Sequence, residues 1–207
     1  MNLVELLAAI VADEARAVQL VRASPGIAQA RVDAERLVEE VPHQLYVRDT
    51  ALHLAAAALR PHAVSALIEA GADPNAENRR GATALHYACD ARPAGKTWNP
   101  SNQRSVIELL LDAGSDIEHE DKAGATPLHR AVRARSPEAV RCLLEHGARV
   151  DATHGRQRTT PLHIVAHSTG ASGTKGAHAE QKEIVELLLH YGADLRARDA
   201  NGNLPRL

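Results

Sequence analysis

Thr50-Ala51-Leu52-His53, Thr83-Ala84-Leu85-His86, Thr126-Pro127-Leu128-His129 and Thr160-Pro161-Leu162-His163 pace this chain at intervals of 33, 43 and 34 residues. Between the copies run helical patterns that end in glycine, at Gly71-Ala72-Asp73, Gly114-Ser115-Asp116, Gly147-Ala148-Arg149 and Gly192-Ala193-Asp194. Each threonine stands where a hydroxyl can accept one of the unsatisfied N–H groups that open a helix. Each glycine stands where a left-handed residue can close one. The first helix of a unit reads Leu85-His86-Tyr87-Ala88-Cys89 and the second Val106-Ile107-Glu108-Leu109-Leu110-Leu111, with apolar residues three and four apart. One such pair cannot bury its apolar face, so the units must stack. Gly81, Gly124 and Gly202 fall at matching points ahead of the helices and mark the tips of tight turns, the fingers.

A repeat of this length headed by Thr-Pro-Leu-His is similar to the ankyrin family. The resemblance implies an all-α solenoid of stacked helix-turn-helix units with β-turn fingers. It divides the chain into an atypical capping unit over 1–41, repeats at 42–74, 75–117, 118–151 and 152–195, and a partial finger at 196–207. It also implies that the four motif histidines, His53, His86, His129 and His163, bond backbone between adjacent units. In the first unit, Leu3–Ala12 and Asp13–Arg22 read as a helix pair, and Asp33 is placed to cap a short helix at Ala34–Glu40 that Pro42 would stop. At the other end Leu204 stands where a threonine would head another unit.

Composition narrows the function. The 207 residues carry 24 basic and 26 acidic side chains, a formal charge of −2, so no global field draws nucleic acid or an anionic membrane. Aromatic residues are 2% of the chain and phenylalanine is absent, which leaves few platforms for stacking bases and a core built from alanine and leucine. The two cysteines, Cys89 and Cys142, sit on helical apolar positions and read as reduced core residues of a cytoplasmic protein. Nothing in the opening Met1-Asn2-Leu3-Val4-Glu5 has the basic region of a secretory signal.

Two insertions break the period, both between the helices of a unit: Arg92 to Ser101 in the third and Thr169 to Glu180 in the fifth. Insertions at equivalent places map to one edge of a solenoid, where loops carry function. Trp98, the sole tryptophan, lies in the first and reads either as a binding anchor or as a lid folded onto its own unit. Aligning the units shows residues that vary at one inner-helix position, Asp90, Arg133 and His167, with Tyr87 beside the first. The finger arginines Arg79 and Arg80 are suited to a carboxylate or phosphate. These seven residues are the candidate partner contacts. His163 and His167, four apart on one helix, form a weak metal pair without a third ligand, and Gly170 to Gly176 departs from the phosphate-loop pattern despite Lys175.

No nucleophile with an adjacent base and no closed ligand set is readable. The chain is therefore expected to be a non-catalytic, monomeric module without cofactor. It would bind another protein, and neither nucleic acid nor membrane, through its groove, fingers and edge loops. The competing reading is a small-molecule or metal site, possibly catalytic, lined by His86, Tyr87, Asp90, Trp98, Arg133, His163 and His167.

Overall fold

A computed structural model of the chain describes residues 2–37, 44–91, 93, 98–166 and 178–206. The helices are α1 (Leu3–Ala12), α2 (Glu14–Ala23), α3 (Ala51–Ala57), α4 (Pro61–Glu69), α5 (Ala84–Cys89), α6 (Pro100–Asp112), α7 (Pro127–Ala134), α8 (Pro137–Glu145), α9 (Pro161–Ala166) and α10 (His178–His190). They stack in two layers. The odd helices form an inner row, each touching the next, and the even helices form an outer row in the same order. Side chains from both rows make one continuous core, dominated by alanine and leucine as composition requires, with Tyr87 its largest fully buried member. Small residues such as Ala51, Ala55 and Ala88, all at 0% exposure, let the inner helices approach closely.

Local chemistry sets the helix starts. Asn2, Asp13 and Asn99 accept the N–H groups of Glu5, Arg16 and Asn102 at 2.9, 3.1 and 3.0 Å, capping α1, α2 and α6. Prolines open α4, α6, α7, α8 and α9, where a missing N–H costs nothing. In α3, α5 and α7 the cap is reciprocal: the threonine side chain accepts the histidine N–H and the histidine ring accepts the threonine N–H. Histidine thus does the work of the usual Glu or Gln in a capping box.

The fingers are held by a side-chain clamp that spacing alone does not announce. One oxygen of Asn78 accepts the N–H groups of Arg80 and Ala82 at 2.8 and 3.1 Å. Asp121 does the same for Ala123 and Ala125, and Asp199 for Asn201 and Asn203. Gly124 shows why the tip needs glycine. Its φ is +82°, and a Cβ there would stand 2.9 Å from the backbone nitrogen of Gly155 in the next finger.

Three details emerge only in the structure. Of the helix expected at Ala34–Glu40, residues 34–37 are not helical, since Arg36–Leu37 pairs antiparallel with Gln44–Leu45, and residues 38–40 lie outside the described residues. A helix of that length repays little of its nucleation cost, whereas the paired segment includes the fully buried Leu45. The insertions are shorter as loops than the repeat alignment implies, because Pro100 and Ser101 already belong to α6, and residues 178–180 to α10. Both of these outer helices reach 13 residues, against 9 in α4 and α8. Finally, Leu109 is only partly buried while Leu110 is fully so. Cys89 and Cys142 are buried and unpaired, and burial pushes the Cys142 thiol up to about 12. Among the described residues no helix is long and apolar enough to cross a membrane.

Candidate functional site

The four motif histidines are joints. Their Nδ1 atoms accept the N–H of Thr50, Thr83, Thr126 and Thr160 at 3.1 to 3.2 Å, which puts the proton on Nε2. From there it is donated across the unit boundary, to the carbonyls of Ala82 at 3.1 Å, Ala125 at 2.9 Å and Asn203 at 3.1 Å. His129 bonds Ala152 at 3.0 Å, in a finger that carries one extra residue. Burial lowers the pKa of His86 and of His129 to about 4, and lowers that of His53, so these three joints are neutral imidazoles.

Both nitrogens of His86 and His163 are therefore committed, and neither offers a lone pair to a metal or substrate. This corrects their place among the ligand candidates. Among the described residues no group of three metal-binding side chains is assembled. His167 and most of the two insertions lie outside the described residues.

Tyr87 lines the groove described below but is almost wholly enclosed. It is 1% exposed, and its hydroxyl donates to Asp49 at 2.8 Å. Asp49, at 0% exposure, also accepts from Asn78 at 3.0 Å and from the Tyr46 N–H at 2.6 Å. This network ties the second finger to the inner helices, and burial together with the Asp49 charge raises the Tyr87 pKa. Trp98 is half-buried, and its indole N–H donates to Gln103 at 2.9 Å. Gln103 in turn bonds the Ala88 carbonyl and Ser136. The polar end of the tryptophan is thus turned toward its own domain.

The other candidates converge. Arg79, Arg80, Asp90 and Arg133 line one groove of about 610 Å³ between the fingers and the inner helices, together with Tyr46, Asp121, Lys122 and Arg130. Asp90 follows the last turn of α5, and Arg133 of α7 reaches it at 2.9 Å. Arg130, which the repeat alignment does not single out, is three residues earlier and so on the same face of α7. It bonds Asp90 at 2.5 Å and also pairs with Asp121. Burial works to raise the Asp121 pKa, but the Arg130 bond and the Ala125 and Ala123 N–H groups hold it below the ordinary carboxylate value.

At the finger end, the Arg80 guanidinium lies 4.1 Å and that of Arg79 5.7 Å from the centre of the Tyr46 ring. Arg79 pairs with Glu35, which Gln44 also bonds at 3.1 Å. Lys122 lies next to Arg80, its backbone N–H on the Arg80 carbonyl at 2.9 Å and its Nζ on the Arg79 carbonyl at 2.8 Å.

The family model for ankyrin repeats (3 copies) matches residues 20–98 and 94–199. The B-cell lymphoma 3 protein homolog of Mus musculus is 34% identical over 158 residues, 76% of this chain and 31% of the relative. The B-cell lymphoma 3 protein of Homo sapiens is 33% identical over 181 residues, 77% of this chain and 38% of the relative. The neurogenic locus notch homolog protein 4 of Homo sapiens is 44% identical over 66 residues, 31% of this chain and 3% of that protein. The chain thus spans about a third of the length of the B-cell lymphoma 3 relatives it matches.

Proposed function

The chain belongs to the ankyrin-repeat family, and from that premise we propose that it is a non-catalytic module that docks another protein in the groove between its fingers and inner helices. Ankyrin repeats generally mediate protein–protein interaction. The observation that carries the reading here is a division of labour among residues. Thr, His and Gly recur from unit to unit in the same local roles, whereas Arg79, Arg80, Asp90 and Arg133 differ at each aligned place and meet in one groove. A rigid stack presents these side chains already ordered, which lowers the entropic cost of binding. The two inserted segments, which precede α6 and α10 in the chain and lie mostly outside the described residues, are included in this reading from the sequence alone.

A small-molecule or metal site fits less well. Such pockets are mainly apolar with a few polar groups, while this groove is walled largely by charged side chains.

The reading is tested by capture from an extract of the native host with three forms of the chain. These are the intact protein, an Ala123→Trp variant that fills the groove without changing its charge, and a form whose insertions are trimmed to the plain repeat length. Ala123 is exposed and lines the groove. A protein held by the intact chain and lost with Ala123→Trp is the expected result. A partner indifferent to Ala123→Trp and lost on trimming would move the function to the edge loops.

A further inference from the structure

The charge of the groove runs against the charge of the chain. The protein is −2 overall, yet the groove presents five cationic side chains, Arg79, Arg80, Lys122, Arg130 and Arg133, against the two carboxylates of Asp90 and Asp121. Both carboxylates are already taken, Asp90 by two arginines and Asp121 by Arg130 and two backbone N–H groups. Of the nearby acidic residues, Glu77 faces His119 and Glu118 faces Arg149, while Glu35 pairs with Arg79 and Glu120 lies near His154 of the groove. Arg80 and Lys122 are exposed, and among the described residues neither has a carboxylate within ion-pair distance. Their backbones are nonetheless held side by side, by the bond from the Lys122 N–H to the Arg80 carbonyl. Cations carried by neighbouring fingers at one groove rim favour an anion that can reach both.

We propose that this groove takes an acidic segment of the partner, a stretch of chain whose Asp or Glu side chains are received by Arg80 and Lys122. The proposal rests on the groove-docking reading above and names its partner chemistry. The two cations are complementary in kind. The Arg80 guanidinium, stacked on Tyr46 at 4.1 Å, offers a fixed planar fork to a carboxylate, and the Lys122 ammonium, bonded to the Arg79 carbonyl at 2.8 Å, offers a point charge with further N–H groups to donate. Nucleic acid fits less well, since Tyr46, the aromatic ring at this rim, is already covered by Arg80 and the remainder of the chain is net negative.

The test is selection of a random peptide library against the intact chain, followed by affinity measurement on Arg80→Glu, Lys122→Glu and Ala123→Trp. The uncharged variants Arg80→Gln and Lys122→Gln accompany them, and melting curves confirm that each is folded. The expected outcome is recovery of peptides rich in Asp and Glu that weaken with added salt, lose about tenfold in affinity with each reversal, and are displaced by Ala123→Trp. Neutral or basic peptides blocked by Ala123→Trp would overturn the acidic-partner proposal and leave groove docking standing. Peptides of any charge that ignore Ala123→Trp would remove the groove reading itself. Recovery of no peptide, or tighter binding of a single-stranded or duplex oligonucleotide that depends on Arg80 and Lys122, would also overturn the proposal.

Discussion

Acid should loosen the joints of this stack before it reaches the carboxylates, and His129 makes the effect calculable. Its ring is 2% exposed, and burial lowers its pKa from the ordinary 6.5 to about 4. In the unfolded chain the ring takes up a proton near pH 6.5, whereas in the folded chain it resists until near pH 4. Between those values the unfolded state holds more protons, so stability falls as pH falls, and below about pH 4 the loss levels off. At pH 5 the unfolded ring is almost wholly protonated and the folded ring almost wholly neutral, a difference of about 2 kcal/mol relative to pH 7. His86 shifts in the same direction to about 4 and adds a similar amount, for a combined loss of about 4 kcal/mol. Asp121, held below the ordinary carboxylate value, adds its own loss only at lower pH. The assay is urea unfolding at pH 7 and pH 5 on the parent and on His129→Gln, whose amide can both accept and donate but does not titrate. The variant should lose about 2 kcal/mol less than the parent across that interval. Parent and variant declining in parallel would refute a neutral buried joint at His129.

Two further substitutions probe the fold. Leu143→Ala, at 0% exposure in the outer layer, should cost about 2 to 5 kcal/mol in urea unfolding; Leu109→Ala, at a partly buried position, should cost about half as much or less. Gly124→Ala should be worse than Gly114→Ala by about 1 to 3 kcal/mol, since both have positive φ but only the first would drive a Cβ against the neighbouring finger. Equal melting temperatures for those two glycine variants would show that the third and fourth fingers do not pack as described.

What the sequence reveals is what repeats. The Thr-x-Leu-His heads, the helix-ending glycines and the fingertip glycines are legible because each is a local device used several times over. The groove is legible only in part, for the opposite reason. Asp90 and Arg133 stand out as variable positions, but their bond spans 43 residues and Arg130 joins it through helical phase. Tyr87 sits beside Asp90 in the chain and yet faces the core, because its hydroxyl is required by the buried Asp49 of the preceding unit. Trp98 could be read either way from its loop setting; the Gln103 carbonyl oxygen, five residues on, gives its N–H a partner inside the domain. After Asp33, Arg36–Leu37 pairs with Gln44–Leu45, a non-local contact that a propensity argument does not register.

The uniform joint between units has an evolutionary consequence. Since a histidine reaches for the same kind of backbone carbonyl at each boundary, the coupling depends on main chain that any neighbour supplies, and not on the neighbour's side chains. A unit can be duplicated, lost or exchanged with this joint still matched, and the bond of His129 to Ala152 shows that the joint tolerates a finger one residue longer. Side-chain bonds such as Arg133 to Asp90 and Tyr87 to Asp49 also cross unit boundaries, but the histidine joint does not depend on them. An array of this kind can therefore change the side chains of its groove while that joint is kept.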